Sequence, residues 1–273
     1  MANEQRITVP ADEGRVLEAL VAGPDDALPL VFHTGTPSGL VWNAPLADAA
    51  ADVEKILERI GADEFVTAGW SGGGPHALAC AALLPVRCLA AASIAGVAPS
   101  DSPGLDWMAG MAEENHEEFR AALAGEADLT TFLGAAAGPL REIGAAEVAD
   151  GLGGLVSETD KAALTGEFAD YLAAAFRAAV TPGIDGWRDD DLAFTRDWGL
   201  SLDALGHATP VAIWQGDQDR MVPETHGAWL AANIPLARAR FRPGEGHLSL
   251  FSRLGEILDD LVNLARPPEP GSG

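Results

Sequence analysis

Positive charge is scarce in this chain: 17 Lys and Arg stand against 41 Asp and Glu, a formal net charge of −24 over 273 residues. Nucleic acid and anionic membranes both need a basic face, so neither is expected as a partner. Cysteine is nearly missing as well. Cys80 and Cys88 cannot make a disulfide framework and are expected as small buried thiols, and no C-x-x-C or His-rich cluster suggests a metal. The longest apolar stretch, Ala77 to Pro99, is broken by Pro85 and Arg87, so it reads as helix, loop and strand rather than a membrane span. The opening MANEQRITVP has neither a basic start nor an apolar core, so no signal peptide is read and a cytoplasmic location is expected. Nucleotide-binding glycine patterns are also missing: no G-x-G-x-x-G follows the first strand, and no G-x-x-x-x-G-K-[ST] occurs.

What remains is a chain with 48% hydrophobic residues, able to bury roughly 75% of its unfolded surface without staples. Its most informative segment is GWSGGG, Gly69 to Gly74, between the apolar run Phe65–Ala68 and the helix-forming run His76–Leu84. Strand, tight G-x-S-x-G turn and helix is the nucleophile elbow, which holds Ser71 in a strained conformation above a helix N-terminus that favours negative charge. Alone the pattern is weak, arising by accident in roughly one chain of this length in ten. Context strengthens it. HTGTPSG, His33 to Gly39, follows the strand-like Leu30–Phe32, and its backbone N–H groups can point at a site beside Ser71. The strand-like Val211–Trp214 runs into Gln215-Gly216-Asp217-Gln218-Asp219, and Ala237–Phe241 runs into a turn that ends at His247.

Serine, aspartate and histidine in that order, each past the end of a strand, resemble the α/β-hydrolase superfamily over nearly the whole chain. The resemblance implies Ser71 as nucleophile, His247 as general base and Asp219 as the acid that orients it. Asp219 is preferred to Asp217 because it fits the family's G-x-x-D, which leaves Asp217 as a turn residue. Gly35-Thr36-Pro37 resembles the oxyanion loop, with Thr34 where a histidine often stands. The backbone N–H groups of Thr36 and Gly72 would form the oxyanion hole. His33 and Trp70 flank the site and are candidates for touching substrate. No cofactor is implied.

The expected fold is α/β, a mostly parallel sheet flanked by helices with an inserted all-helical cap. Residues 1–100 and 206–273 would form the core, the latter with a disordered tail, and 101–205 the cap. An opening hairpin is expected at Ile7–Val9 and Val16–Val21, with helices at Ala44–Ile60, His76–Leu84, Thr225–Ala232 and Leu250–Ala265. Cap helices are expected at Trp107–Ala124, Leu129–Ala137, Ser157–Ala179 and Asp190–Trp198. Trp107, Met108, Met111, Phe132 and Trp187 are either pocket lining or packing.

One departure from the family is large: only Gly39 to Glu64 separates the oxyanion loop from the elbow strand. The apolar phase Leu46, Ala49, Ala50, Val53, Ile56, Leu57 and Ile60 fills that interval with a single helix, so one strand of the usual sheet is expected to be missing. The hairpin must then pair with the oxyanion strand, hang loosely or pair with another subunit, which makes a homodimer possible. Of the other histidines, His76 is expected in packing, and His226 is a poor base because the strand that delivers the base comes later. The function expected is a serine hydrolase acting on a small ester, thioester or amide. The alternative is an impaired or shortened hydrolase serving as a small-molecule binder or scaffold.

Overall fold

The computed structural model of the protein describes residues 4–12, 15–24, 26–37 and 46–266. Strands β1 (Glu4–Pro10) and β2 (Val16–Ala22) form an antiparallel hairpin that is a two-stranded sheet of its own. Ile7 and Val9 of β1 are buried while the residues between and beside them are exposed, the alternation of a strand with one face covered.

Strand β3 (Leu30–His33) is followed by α1 (Leu46–Ile60), which buries Leu46, Ala49, Ala50, Val53 and Leu57 along one face. This is the expected helical phase except at its end, where Ile56 is half-buried and Ile60 is exposed; Ala44 and Pro45 fall outside the described residues. Ion pairs fasten α1 to the hairpin. Asp52, 1% exposed, receives the Arg15 guanidinium at 2.7 Å, and Lys55 reaches Asp12 at 2.5 Å. The hairpin therefore neither joins β3 nor hangs loose.

The chain continues through β4 (Phe65–Trp70), α2 (Gly73–Leu83) and β5 (Cys88–Ile94). Next come α3 (Glu113–Ala124), α4 (Glu126–Leu140), α5 (Val148–Leu152), α6 (Glu158–Ala163), α7 (Gly166–Val180), α8 (Asp185–Phe194) and α9 (Leu202–Ala208). Finally β6 (Val211–Gly216), α10 (Glu224–Asn233), β7 (Arg238–Arg242) and α11 (Leu254–Ala265) complete the fold. Strands β3 to β7 form one five-stranded, all-parallel sheet in sequence order.

Strands in the middle of a parallel sheet must be apolar on both faces. Every residue of β4 and β6 is buried, and alternate side chains feed two cores. Phe65, Val211 and Ile213 pack with Leu57, Leu78 and Leu230 on one face, and Val66, Ala68 and Trp214 pack with Ile257 and Leu261 on the other. Among the described residues no helix is long and apolar enough to cross a membrane.

Several expected helices are corrected. Trp107 to Met111 are turns, not the start of α3: the Trp107 indole donates to the Ala98 carbonyl at 2.6 Å, and Gly110 has φ 89°. The expected Ser157–Ala179 helix is split into α6 and α7, with Gly166 at φ 55° just past the break. The one expected at Asp190–Trp198 starts five residues earlier and stops at Phe194, where the Thr195 hydroxyl turns back to the Asp191 carbonyl. Leu250–Ala265 is a 3₁₀ turn, Ser249–Arg253, followed by α11.

Candidate active site

Parallel register places the C-terminal ends of the strands side by side: His33 lies opposite Gly69, Ile94 opposite Trp214 and Gly216 opposite Arg242. Ligands of open parallel sheets gather at that edge. Ser71 sits there with φ 56°, a left-handed conformation that is costly for a residue with a side chain. Its backbone N–H is held by the Ile94 carbonyl at 2.8 Å, and α2 begins two residues later. The sharp reversal needs its glycines. A Cβ on Gly69 would lie 1.9 Å from the Gly73 oxygen, and one on Gly73 would lie 2.2 Å from the His33 oxygen. Gly69→Ala is therefore expected to cost more than about 4 kcal/mol, read as loss of folded protein or a large fall in Tm. A variant melting within a few degrees of wild type contradicts this reading of the turn.

Asp219 and His247 meet on the neighbouring strand ends. The imidazole Nδ1 is 2.8 Å from Asp219 Oδ2, with both side chains essentially fully buried. Asp219 is itself held by the N–H groups of Met221 and Val222 on Oδ1, at 2.9 and 2.8 Å, and by the Gln215 amide on Oδ2 at 3.0 Å. Burial pulls the His247 pKa down, but the Asp219 charge and hydrogen bond, with a further contribution from Asp160, lift it above the ordinary histidine value. Asp217 is exposed and accepts the Gly244 N–H at 2.8 Å, tying the two loops together as a turn residue does.

The loop after β3 packs directly on the serine: a Cβ built on Gly35 would sit 3.0 Å from Ser71 Cβ. The Thr36 side chain crowds Gly72, with Oγ1 2.5 Å from where a Gly72 Cβ would stand and Phe194 of α8 at 2.8 Å from the same point. Thr36 Oγ1 also donates to Asp190 of α8. Thr36 and Gly72 are thus neighbours beside Ser71, braced by a helix far away in sequence.

Trp70 is buried in the core beside the histidine. Its ring packs 5.4 Å from the His247 ring and 5.2 Å from Phe251, and its Nε1 donates to the His247 carbonyl at 3.2 Å. Through these contacts it supports the histidine. His33 is buried, stacks on His76 with centroids 6.0 Å apart, and has Nε2 3.6 Å from Cys80 Sγ. Burial, with the neighbouring His76, pushes its pKa down to about 3, so it is neutral. His76 bonds the Gly72 carbonyl through Nδ1 at 2.9 Å. His226 is structural: it accepts the Ala98 N–H on Nδ1 at 3.1 Å and donates from Nε2 to Trp107 O at 2.8 Å.

A cavity of about 870 Å³ opens between β2, β3 and α1 and reaches the loop at Thr34, Gly35 and Pro37. His33 and Trp187 line it, but Ser71, Asp219 and His247 do not. Among the described residues its carboxyl groups are Glu18, Asp26, Asp63, Glu64 and Asp190, and no Lys or Arg lines it. Trp107, Met111 and Phe132 are packed in cores instead.

Asp190 was not legible as a site residue, since it stands in an acidic run, Asp189-Asp190-Asp191, that reads as a solvated helix face. Burial raises its pKa to about 7; the Thr36 hydrogen bond opposes this and Asp189 adds to it. The native state then keeps a proton that the unfolded chain releases above about pH 4. Stability from Asp190 is present below that value and is lost as pH rises through about 7. Asp190→Asn, which mimics the protonated form, is expected to gain in Tm relative to wild type between about pH 5 and pH 8. Calorimetry at both values checks it, and a difference that stays constant with pH contradicts it.

The family model for the alpha/beta hydrolase fold matches residues 32–254. The chain belongs to the alpha/beta hydrolase fold family. None of the curated proteins matches it by sequence. Among solved structures, it is similar to a thermophilic esterase from Thermogutta terrifontis at 17% identity and TM-score 0.63, covering 96% of this chain and 100% of that one. It is also similar to naproxen esterase (carboxylesterase NP) from Bacillus subtilis, at 16% identity and TM-score 0.65, covering 97% and 92%. A third is the 2-hydroxy-6-oxo-6-phenylhexa-2,4-dienoate hydrolase of a Rhodococcus strain, at 17% and 0.64, covering 96% and 100%.

Proposed function

We propose that the protein is a serine hydrolase that cleaves a small ester, thioester or amide through an acyl-enzyme. The observation that carries the reading is the strained Ser71 at the end of β4, together with a buried Asp219–His247 pair in the loops after β6 and β7, at the same edge of the sheet. Ser71 Oγ attacks the substrate carbonyl carbon while His247 Nε2 takes the hydroxyl proton. The carbonyl oxygen becomes an oxyanion, for which the N–H groups of Thr36 and Gly72 are the proposed donors, each worth on the order of 3 kcal/mol. His247 then passes its proton to the departing alcohol, thiol or amine. Water attacks the acyl-enzyme with His247 again as base, which releases the acid and restores Ser71. Asp219 keeps the Nδ1 proton in place and stabilises the imidazolium.

In this reading the helices between β5 and β6 form a cap over the site, between core segments 1–100 and 206–273. The net charge of −24 favours neutral or cationic substrates over anionic ones. The second reading, a small-molecule binder, draws on the cavity that Ser71 does not line. A panel of p-nitrophenyl esters from acetate to decanoate separates the two. The hydrolase reading expects turnover with a preferred chain length; a folded protein without turnover on any ester favours the binder.

A further inference from the structure

Asp160 is a carboxylate that the triad account leaves unused, fully buried at the start of α6. Five donors converge on it. Oδ1 accepts the backbone N–H of Leu248 at 2.7 Å and of Ser249 at 2.9 Å. Oδ2 accepts the N–H of His247 at 3.3 Å, the Ser157 hydroxyl at 2.8 Å and the Ser157 N–H at 3.2 Å. Three of the five belong to the histidine and the two residues after it. Approach this close depends on Gly246, where a Cβ would stand 2.4 Å from both Asp160 oxygens. The neighbouring Thr159 hydroxyl donates to the Gly244 carbonyl at 3.0 Å, a second tie between α6 and the same loop.

We infer that Asp160 is a positioning residue for the general base, its carboxylate fixing the backbone of the His247 loop and setting a second negative charge against that residue to hold the imidazolium. The inference rests on the reading of His247 as the base. Hydrogen bonds to a carboxylate are about twice as strong as neutral ones, so five of them make a firm anchor for the loop. Asp219 comes from the loop after β6, Asp160 from α6, and on the histidine loop itself Glu245 is spent on Arg253 at 2.9 Å. Trp70, from β4, covers the ring without charge. Burial lowers the His247 pKa, and Asp219 and Asp160 together raise it past the ordinary value. A carboxylate that only capped α6 would influence stability but not the titration of His247.

The test uses Asp160→Asn and Ser157→Ala in the full chain. Asp160→Asn removes the charge and turns an amide toward N–H donors; kcat is expected to fall about 10- to 100-fold with KM nearly unchanged. The acid limb of the kcat/KM profile is expected to move down by about one pH unit in the same variant. Ser157→Ala keeps the charge and loosens only its hold, so the acid limb stays in place while kcat falls by a smaller factor. NMR titration of the His247 imidazole reads the charge effect directly, without substrate. An Asp160→Asn protein that is folded, with wild-type kcat and an unmoved imidazole pKa, overturns the inference. If Asp160→Asn does not fold, a wild-type kcat in Ser157→Ala overturns it. If the wild type hydrolyses nothing, the hydrolase reading fails by itself. The NMR titration then still decides for Asp160: a lowered pKa in Asp160→Asn supports the charge role, and an unchanged one refutes it.

Discussion

Ser71→Ala is expected to lower kcat on the best ester by about 10⁶-fold while the protein stays folded. In the proposed mechanism Oγ is the attacking atom, so its removal removes the nucleophile. Stability should scarcely change, because alanine meets the same left-handed backbone penalty at φ 56° that serine does. Glycine escapes that penalty, so Ser71→Gly should be equally inactive and more stable than Ser71→Ala by about 1 kcal/mol. A stopped assay alone does not separate lost chemistry from lost fold. Thermal melts of the two variants beside wild type do, and equal melting of Ala and Gly variants would count against strain at this position.

Asp219→Asn carries the next largest effect, a fall of about 10⁴-fold in kcat with the loop intact. The Asn amide retains an oxygen for the N–H groups of Met221 and Val222, which bond Asp219 Oδ1 at 2.9 and 2.8 Å. Toward the imidazole it can present an N–H where Asp219 Oδ2 now accepts from Nδ1. The Nδ1 proton is then disfavoured and the ring takes the tautomer protonated on Nε2, the nitrogen that must accept the serine proton. Asp219→Ala should be worse for the fold, since two N–H groups lose their acceptor at about 1–3 kcal/mol each. Stopped-flow or single-turnover kinetics of the Asn variant, with circular dichroism as the fold control, check the first claim. Activity within tenfold of wild type contradicts it.

The residues that were legible in the sequence share a property: their local chain conformation demands their identity. Gly69, Ser71 and Gly73 are read from the turn itself, because close backbone approach there excludes side chains. The buried runs of β4 and β6 mark a two-faced sheet for the same local reason, an apolar segment short enough to be a strand. Helix α1 was readable from its phase, and with it the short connection between β3 and β4.

What was not legible depends on contacts between distant segments. Asp160 sits in Ser157-Glu158-Thr159-Asp160, a helix-start signature with Ser157 as the cap, and its three bonds to the histidine loop cross 87 to 89 residues of chain. Asp190 reaches Thr36 over 154 residues. Trp70 stands beside Ser71 in sequence yet packs its ring in the core with His247, because alternate residues of β4 face opposite sides. Between β5 and β6 the alanine-rich text favours helix nearly everywhere, so propensity could not place the breaks. They fall where a glycine takes positive φ, as at Gly110 and Gly166, or where a side chain turns back on the backbone, as at Thr195.

The most direct test of the central claim is covalent labelling with a fluorophosphonate, followed by peptide mass spectrometry. Fast, stoichiometric phosphonylation is expected at Ser71, abolished in Ser71→Ala and slowed in Asp219→Asn. A folded protein that leaves Ser71 unlabelled under conditions that label an active serine esterase would contradict it.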